Sequence, residues 1–463
     1  MADDHSSHPV STEIEIEAKT NYDQISASIN GKLDHLKSTS SSRHISKVPE
    51  HLRKDNQSAY EPYMLAIGPC HRGKKHVGRM EERKKKYLKE LLERRAKEDL
   101  NRYVTAIGEL EKIARSCYAD DFSNIETNEF VEMMLLDGCF IIELLRRFMY
   151  NRMELSSIIK KLGRDLLLIE NQIPFLVLEK LFSMTATSEQ PDKDYNLRQM
   201  VLNFFADSIL PDQSKVMGEW AECVKRSTEK RTHQHLLSFI HDNWLREENW
   251  ITSPLVPLVK QNCRWFFHGR KRRPSPNEKS TRFMRCATEL KEAGIKFKRV
   301  YRSILTDICF ENGTMKMPQL EITGETESVF RNLIVYEQYF APTDEVKLVS
   351  QYVKFMDCLI DSQKDVELLC KRNILHHCLG DDATVANIFN TLNDLVNLSP
   401  ISHYKDTIVS VSDYCAHIPH TWMANLRHKY FNSPWALISL FAAVLLLLFT
   451  FIQTLYSVLA YYK

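Results

Sequence analysis

Glycine is scarce in this 463-residue chain, at 13 positions, and neither a G-x-G-x-x-G turn nor a G-x-x-x-x-G-K-S/T loop occurs. Ordinary nucleotide-binding folds need those glycines to bring backbone close to phosphate, so they are disfavoured. An excess of charge of one sign is also missing, with 62 Lys and Arg against 60 Asp and Glu. No global field then favours nucleic acid or an acidic substrate, and partners have to be argued from local patches. The eleven cysteines are scattered rather than paired at short spacing, and the N-terminus lacks the charged-then-apolar pattern of a secretory signal. Reduced thiols in the cytosol fit that pattern, and the glycosylation sequons at Asn56, Asn312 and Asn397 read as unused. No G-x-S-x-G elbow is present, and nothing nominates a nucleophile.

The longest absence is of charge between Lys429 and Lys463, where Trp435 to Leu459 reads WALISLFAAVLLLLFTFIQTLYSVL. As a helix, those 25 residues reach roughly 37 Å, enough to cross a hydrocarbon core of about 30 Å with some tilt. Trp435, Leu440, Leu446, Phe449, Leu455 and Leu459 are the expected anchor residues, and the lipid bilayer is the partner they imply. Aromatic residues flank the run, with Tyr430 and Phe431 before it and Tyr461 and Tyr462 at its end. Arg427, His428 and Lys429 precede the span against a single Lys463 beyond it, which predicts a cytosolic N-terminal side. So short a tail predicts insertion after synthesis, as a tail anchor.

Upstream, residues 1–42 are rich in Ser, Thr, Asp and Asn without an apolar period and read as a flexible arm. From about Met80 a long charged helix is expected, with Leu100, Tyr103, Ile107, Leu110, Ala114 and Cys117 on one face and the basic run Arg83 to Lys86 solvated. Phe130 to Phe148 and Asp165 to Phe182 follow as densely apolar elements, with Pro174 at a helix start or a kink. Strand character is evident in one place, a hairpin from Ile304 to Ile322 turning at Asn312-Gly313. Helices return over Val329 to Phe340, Val346 to Ile360 and Val385 to Leu398, and a last one, bent at Pro419, carries Trp422 to Phe431 toward the anchor.

Three clusters carry candidate chemistry. Glu143, Asp165, Glu170 and Glu179 stand among large apolar residues, where desolvation raises a carboxylate toward acid/base work, although capping and exposed-face positions explain most such residues. Cys370, His376, His377 and Cys378 form the best local metal candidate but lack a C-x-x-C pair, and neighbouring histidines on a helix diverge; His417 and His420 are weaker, with Pro419 between them. Arg270, Lys271, Arg272 and Arg273, beside Pro274 and Pro276, read as an exposed loop at about residues 266–280. Its functional alternatives are nuclear import, phosphorylation control or contact with anionic lipid.

Several blocks together resemble a plant family known as domain of unknown function 247, also called uncharacterised protein family 0481. They include Val48-Pro49, Tyr60-x-Pro62, Ile67-Gly68-Pro69 with His71 and Gly73, Asp137-Gly138-Cys139-Phe140, and Asp165-Leu166-Leu167-Leu168. Glu170-Asn171-Gln172-Ile173-Pro174-Phe175, Ala293-Gly294-Ile295, Phe330-Arg331-Asn332 and Pro434-Trp435 continue the series over about residues 45–460. Two departures stand out: Cys70 precedes His71 where the family commonly has an aromatic residue, and Asn373 replaces a usual glycine. The resemblance implies a C-terminal hydrophobic helix and no established activity or cofactor; some grass members are associated with pollen self-incompatibility.

The expected fold is mainly α: a large helical domain with a small β-hairpin over residues 43–430, followed by one transmembrane helix at 435–459. The expected function is a single-pass plant membrane protein acting as a non-enzymatic recognition or signalling module at the cytosolic face, the plasma membrane being favoured over the endoplasmic reticulum. The alternative is a membrane-tethered enzyme with a buried acidic site drawn from Glu143, Asp165 and Glu170. No cofactor is nominated, an unidentified protein partner is expected, and nucleic acid is not.

Overall fold

The structure, a computed structural model, describes residues 26–30, 45–94, 100–150, 156–187, 191–209, 234–244, 284–301, 305–341, 346–396, 403–416 and 434–461. The basic patch Arg270 to Arg273, the segment 417–433 with His417 and His420, and all of the N-terminal arm except 26–30 lie outside the described residues.

Helix Thr127–Tyr150 is the axis of the first half. Apolar residues from Phe130 to Phe148 fall on every face of the helix, so burying one face would leave others in water; the helix is instead surrounded, with nearly every position of that run buried. Gly78–Arg94, Leu100–Ser116, Phe175–Thr185 and Leu197–Ile209 pack against it. Gly138 leaves room for Leu181 of Phe175–Thr185, since a Cβ there would lie 2.4 Å from Leu181 Cδ1. Pro174 is the N-cap of Phe175–Thr185, a helix start rather than a kink, and residues 167–174 before it are an irregular buried loop.

The second half mixes short strands with helices. Strands β1 (Lys296–Val300), β2 (Cys309–Glu311) and β3 (Thr314–Pro318) form one sheet in the order β1-β3-β2, with β1 parallel and β2 antiparallel to β3. The expected hairpin is present, and Asn312 (φ 50°) and Gly313 (φ 72°) supply the two positive φ angles of its two-residue turn. A second, parallel pair joins β4 (Leu320–Ile322) to β5 (Leu375–His377). Helices Thr326–Val335, Leu348–Leu359, Gln363–Lys371 and Asp382–Asn393 pack on one another, with Gln363–Lys371 also against β5, and the first continues as a π-helical turn over Tyr336–Phe340.

Three expectations need correction. Strand character is not confined to residues 304–322: β1 and β5 lie outside that stretch and are too short, at five and three residues, to show an alternation in sequence. The element expected over Asp165 to Phe182 is a helix end, a loop and a new helix. The basic run near Met80 is not wholly solvated, because Lys84 is buried with 2% of its surface exposed.

The C-terminal helix runs over Pro434–Tyr461, 28 residues. Its window Phe441–Leu459 has a mean hydropathy of 2.1 and no residue buried against the rest of the protein. It is long and apolar enough to cross a membrane. Leu446, Phe449, Leu455 and Leu459 are exposed along it, while Trp435 and Leu440 lie within its span. The hydroxyl of Thr450 donates to Leu446 O at 2.7 Å, so this polar group is satisfied inside the helix.

Candidate functional site

The end of helix Ser156–Leu166 and the irregular loop after it bring together the buried polar groups Arg164, Asp165, Glu170, Asn171 and Gln172, whose side chains act as substitute strand partners for an extended segment a hundred residues earlier. Asp165 accepts from the backbone N–H groups of Tyr63 (2.9 Å), Met64 (2.9 Å) and Leu65 (3.0 Å). Asn171 accepts from Ile67 N at 2.7 Å and donates to Leu65 O at 2.8 Å. Gln172 donates to Leu166 O and Leu168 O, and its own backbone oxygen accepts from the Tyr118 hydroxyl at 3.0 Å. Arg164, fully buried, donates to Glu61 O and Ser58 O, pairs with Asp165 at 2.8 Å, and lies 3.7 Å from the centre of the Tyr63 ring. Buried backbone must find partners, and here side chains provide them.

Glu170 fixes the start of the same segment by accepting from Val48 N at 2.7 Å and from Arg53. His71 Nε2 stands 3.3 Å from its second oxygen. Burial, reinforced by the positive charges of Lys74 and Arg53, pushes the His71 imidazole down to about 3, so the ring is neutral at physiological pH. Beside it, burial and then the charges of Glu170 and Asp120 push the Cys70 thiol up to about 12, which removes it as a nucleophile. Burial raises Asp165, with its three backbone donors and Arg164 opposing the shift.

The four carboxylates do not form one acidic site. Glu143 belongs to another network, gripped by Arg94 (2.6 Å) and Arg146 (2.7 Å), the latter held in turn by Asp192 at 2.8 Å. Glu179 is half-exposed and accepts from Arg198 at 2.7 Å. Each has the surroundings of a structural ion pair.

The Cys and His cluster is divided by strand geometry. Successive side chains of a strand point to opposite faces, so His376 joins Cys378 and Glu321 on one side, while His377 joins Cys370 and Asp382 on the other. Ligand atoms within each trio lie within 4.8 Å of one another.

The blocks that carry the family resemblance meet at the polar centre: Tyr60 to Gly68, Asp137, Asp165 to Gln172, and Asn332, whose Oδ1 accepts from Ile169 N at 2.9 Å. The sequence profile of DUF247, a plant protein of unknown function, matches residues 45–449. The chain belongs to the DUF247 family. UPF0481 protein At3g47200 of Arabidopsis thaliana is similar at 28% identity over 433 residues, covering 90% of this chain and 86% of its own. A second Arabidopsis thaliana relative, UPF0481 protein At3g02645, is 22% identical over 482 residues, covering 88% and 89%. No solved structure matches.

Two buried pairs in this DUF247 protein escaped the sequence reading. Lys84 Nζ lies 2.6 Å from Asp137, which also accepts from Gly68 N at 2.8 Å. Lys84 follows Met80 by four and precedes Tyr87 and Leu91 by three and seven, a spacing that places it on the buried face despite its cationic neighbours. His241 Nε2 lies 2.9 Å from Glu337, itself accepting from Val349 N and Ser350 N at 2.8 Å. No short-range signal links residues 241 and 337.

Proposed function

We propose that this DUF247 chain is a single-pass membrane protein, held by its C-terminal helix, whose helical body faces the cytosol and works by protein recognition rather than catalysis. The observation that carries the reading is the bare helix Phe441–Leu459. Its Leu446, Leu447, Phe449 and Phe451 are each more than 60% exposed, and a continuous apolar surface of that length needs a covering that the described body does not supply. A bilayer supplies it.

Orientation and mode of action rest on further features. Arg427, His428 and Lys429 precede the helix, as cytosolic flanks do. Asn56 of the first sequon has its amide nitrogen donating to Glu327 at 2.9 Å, a group a glycan would occupy. The carboxylates nominated for acid/base work are held by arginines and backbone N–H groups, which favours a scaffold role for them. The plasma membrane is the proposed location.

The test is expression of the tagged full chain in plant cells, followed by alkaline carbonate extraction and protease treatment of sealed microsomes. Retention in the pellet with digestion of the body is expected. Release by carbonate, or protection of the body, overturns the anchor or the topology respectively. Proximity labelling at the plasma membrane should mark a stoichiometric protein partner, and hydrolytic or transferase activity lost in Glu170→Gln would favour the enzyme instead.

A further inference from the structure

We propose that the body binds one zinc ion through Cys370, His377 and Asp382, with water completing the tetrahedron. The three residues come from three consecutive elements. Cys370 stands in the last turn of Gln363–Lys371, His377 ends strand β5, and Asp382 opens helix Asp382–Asn393. The turn that folds β5 back onto Cys370 is tight: Asn373 N donates to Cys370 O at 2.9 Å, Ile374 N donates to Leu369 O at 3.0 Å, and Asn373 takes the left-handed conformation at φ 55°.

The geometry is already near that of a metal site. The thiol, imidazole and carboxylate atoms lie within 4.8 Å of one another, and His377 Nε2 is 2.8 Å from Asp382 Oδ1. A tetrahedral zinc site, with ligands at about 2.0–2.3 Å, separates its donors by roughly 3.3–3.8 Å, so the His377–Asp382 pair has to part by about 0.5 Å while the wider separations close by at most about 1.5 Å. All three residues are half-buried, which limits competition from bulk water. His377 Nδ1 is sealed from solvent without a hydrogen-bond partner, a sign that the hydrogen bonding of the ring is incomplete. Asp382 is not needed as a helix cap, because Asp381 fills that role by accepting from Thr384 N at 2.6 Å.

Donor chemistry selects the ion. One sulfur, one nitrogen and one carboxylate oxygen form a borderline set that suits Zn2+ and is poorly matched to Mg2+ or Ca2+, which take oxygen throughout. Binding exchanges the thiol proton of Cys370 for the metal. The trio on the other face of the strand serves as an internal control: His376 and Cys378 are exposed, and Glu321 is occupied by Lys160 at 3.1 Å.

The experiment uses the full chain, purified in detergent, stripped with chelator and titrated with Zn2+ and, separately, with Co2+ as an optical probe. One equivalent of zinc and a near-ultraviolet thiolate-to-cobalt band are expected, with a rise in Tm on zinc addition. Cys370→Ser should abolish the band, and Asp382→Asn should weaken zinc binding by at least the roughly 10–100-fold that loss of an outer-shell partner costs. The double variant His376→Asn, Cys378→Ser should bind as the parent does. Absence of the cobalt band in the parent overturns the proposal whatever the variants do. A band that survives Cys370→Ser and vanishes in the double variant assigns the metal to the other face and overturns it as well.

Discussion

Lys84 and Asp137 meet at 2.6 Å with about 2–3% of either side chain exposed, an ion pair sealed in the core and tied to the backbone at both ends. Lys84 also donates to Ala66 O at 2.6 Å, and Asp137 accepts from Gly68 N, so the pair clamps the segment that leads from Tyr60 to Gly68.

Removing one partner strands the other charge without water. Lys84→Met in the full chain should destabilise by about 3–5 kcal/mol, whereas combining it with Asp137→Leu should recover part of the loss. Chemical denaturation of the two singles and the double measures this; equal, additive losses would show that the pair is not coupled.

Gly68 and Gly73 both adopt positive φ, at 69° and 81°, but differ in their surroundings. A Cβ at Gly68 would stand 2.5 Å from the backbone oxygen of Gln172, while one at Gly73 meets nothing within 4 Å. Gly73→Ala should therefore cost about 1–2 kcal/mol from backbone strain alone, and Gly68→Ala at least about 1 kcal/mol more. Thermal melts of the two variants compare them directly.

Much of the body is legible because apolar spacing betrays it. Of the expected stripe, Tyr103, Ile107 and Ala114 are buried, Leu110 and Cys117 are partly covered and Leu100 at the helix start is exposed; the dense run Phe130 to Phe148 is largely buried, and Asn312-Gly313 turns the hairpin as those residues must. Asn373 takes φ 55°, a left-handed conformation that Asn tolerates better than most other side chains. The polar centre is not legible in the same way. Asp165 resembles any helix-end carboxylate until Tyr63, Met64 and Leu65 are brought to it from a hundred residues away. Nor does a short strand such as Leu375–His377 reveal that two adjacent histidines face opposite ways.

His241 gives the fold a pH dependence. Burial lowers its affinity for a proton, but hydrogen bonds to Asp242 and Glu337, with their charges, outweigh this and raise it from 6.5 to about 9. A raised value in the folded state means full stabilisation below about pH 6.5, lost as pH rises through about 9. Stability of the full chain in detergent should fall across that window, and His241→Asn should flatten the decline. An unchanged slope in the variant would remove His241 as its source.

The anchor can be tested by one charge. Leu446 sits near the middle of helix Pro434–Tyr461, and Leu446→Arg should oppose insertion by about 2.5–3.5 kcal/mol. A larger carbonate-soluble fraction in the variant than in the parent is the expected outcome, with Tyr456→Arg, nearer the helix end, having the smaller effect.

Side-chain support of Tyr63 to Ile67 by Asp165 and Asn171 has a consequence for biosynthesis. The bonds join residues 100 to 106 positions apart, so these partners do not exist when the early segment leaves the ribosome. At about 5–20 residues per second, translation of the intervening chain takes roughly 5–20 s, during which the Leu65 and Ile67 N–H groups lack their native acceptors. The polar centre thus completes only after residues 165–172 are made, which makes its assembly a late, long-range step in the folding of the first half.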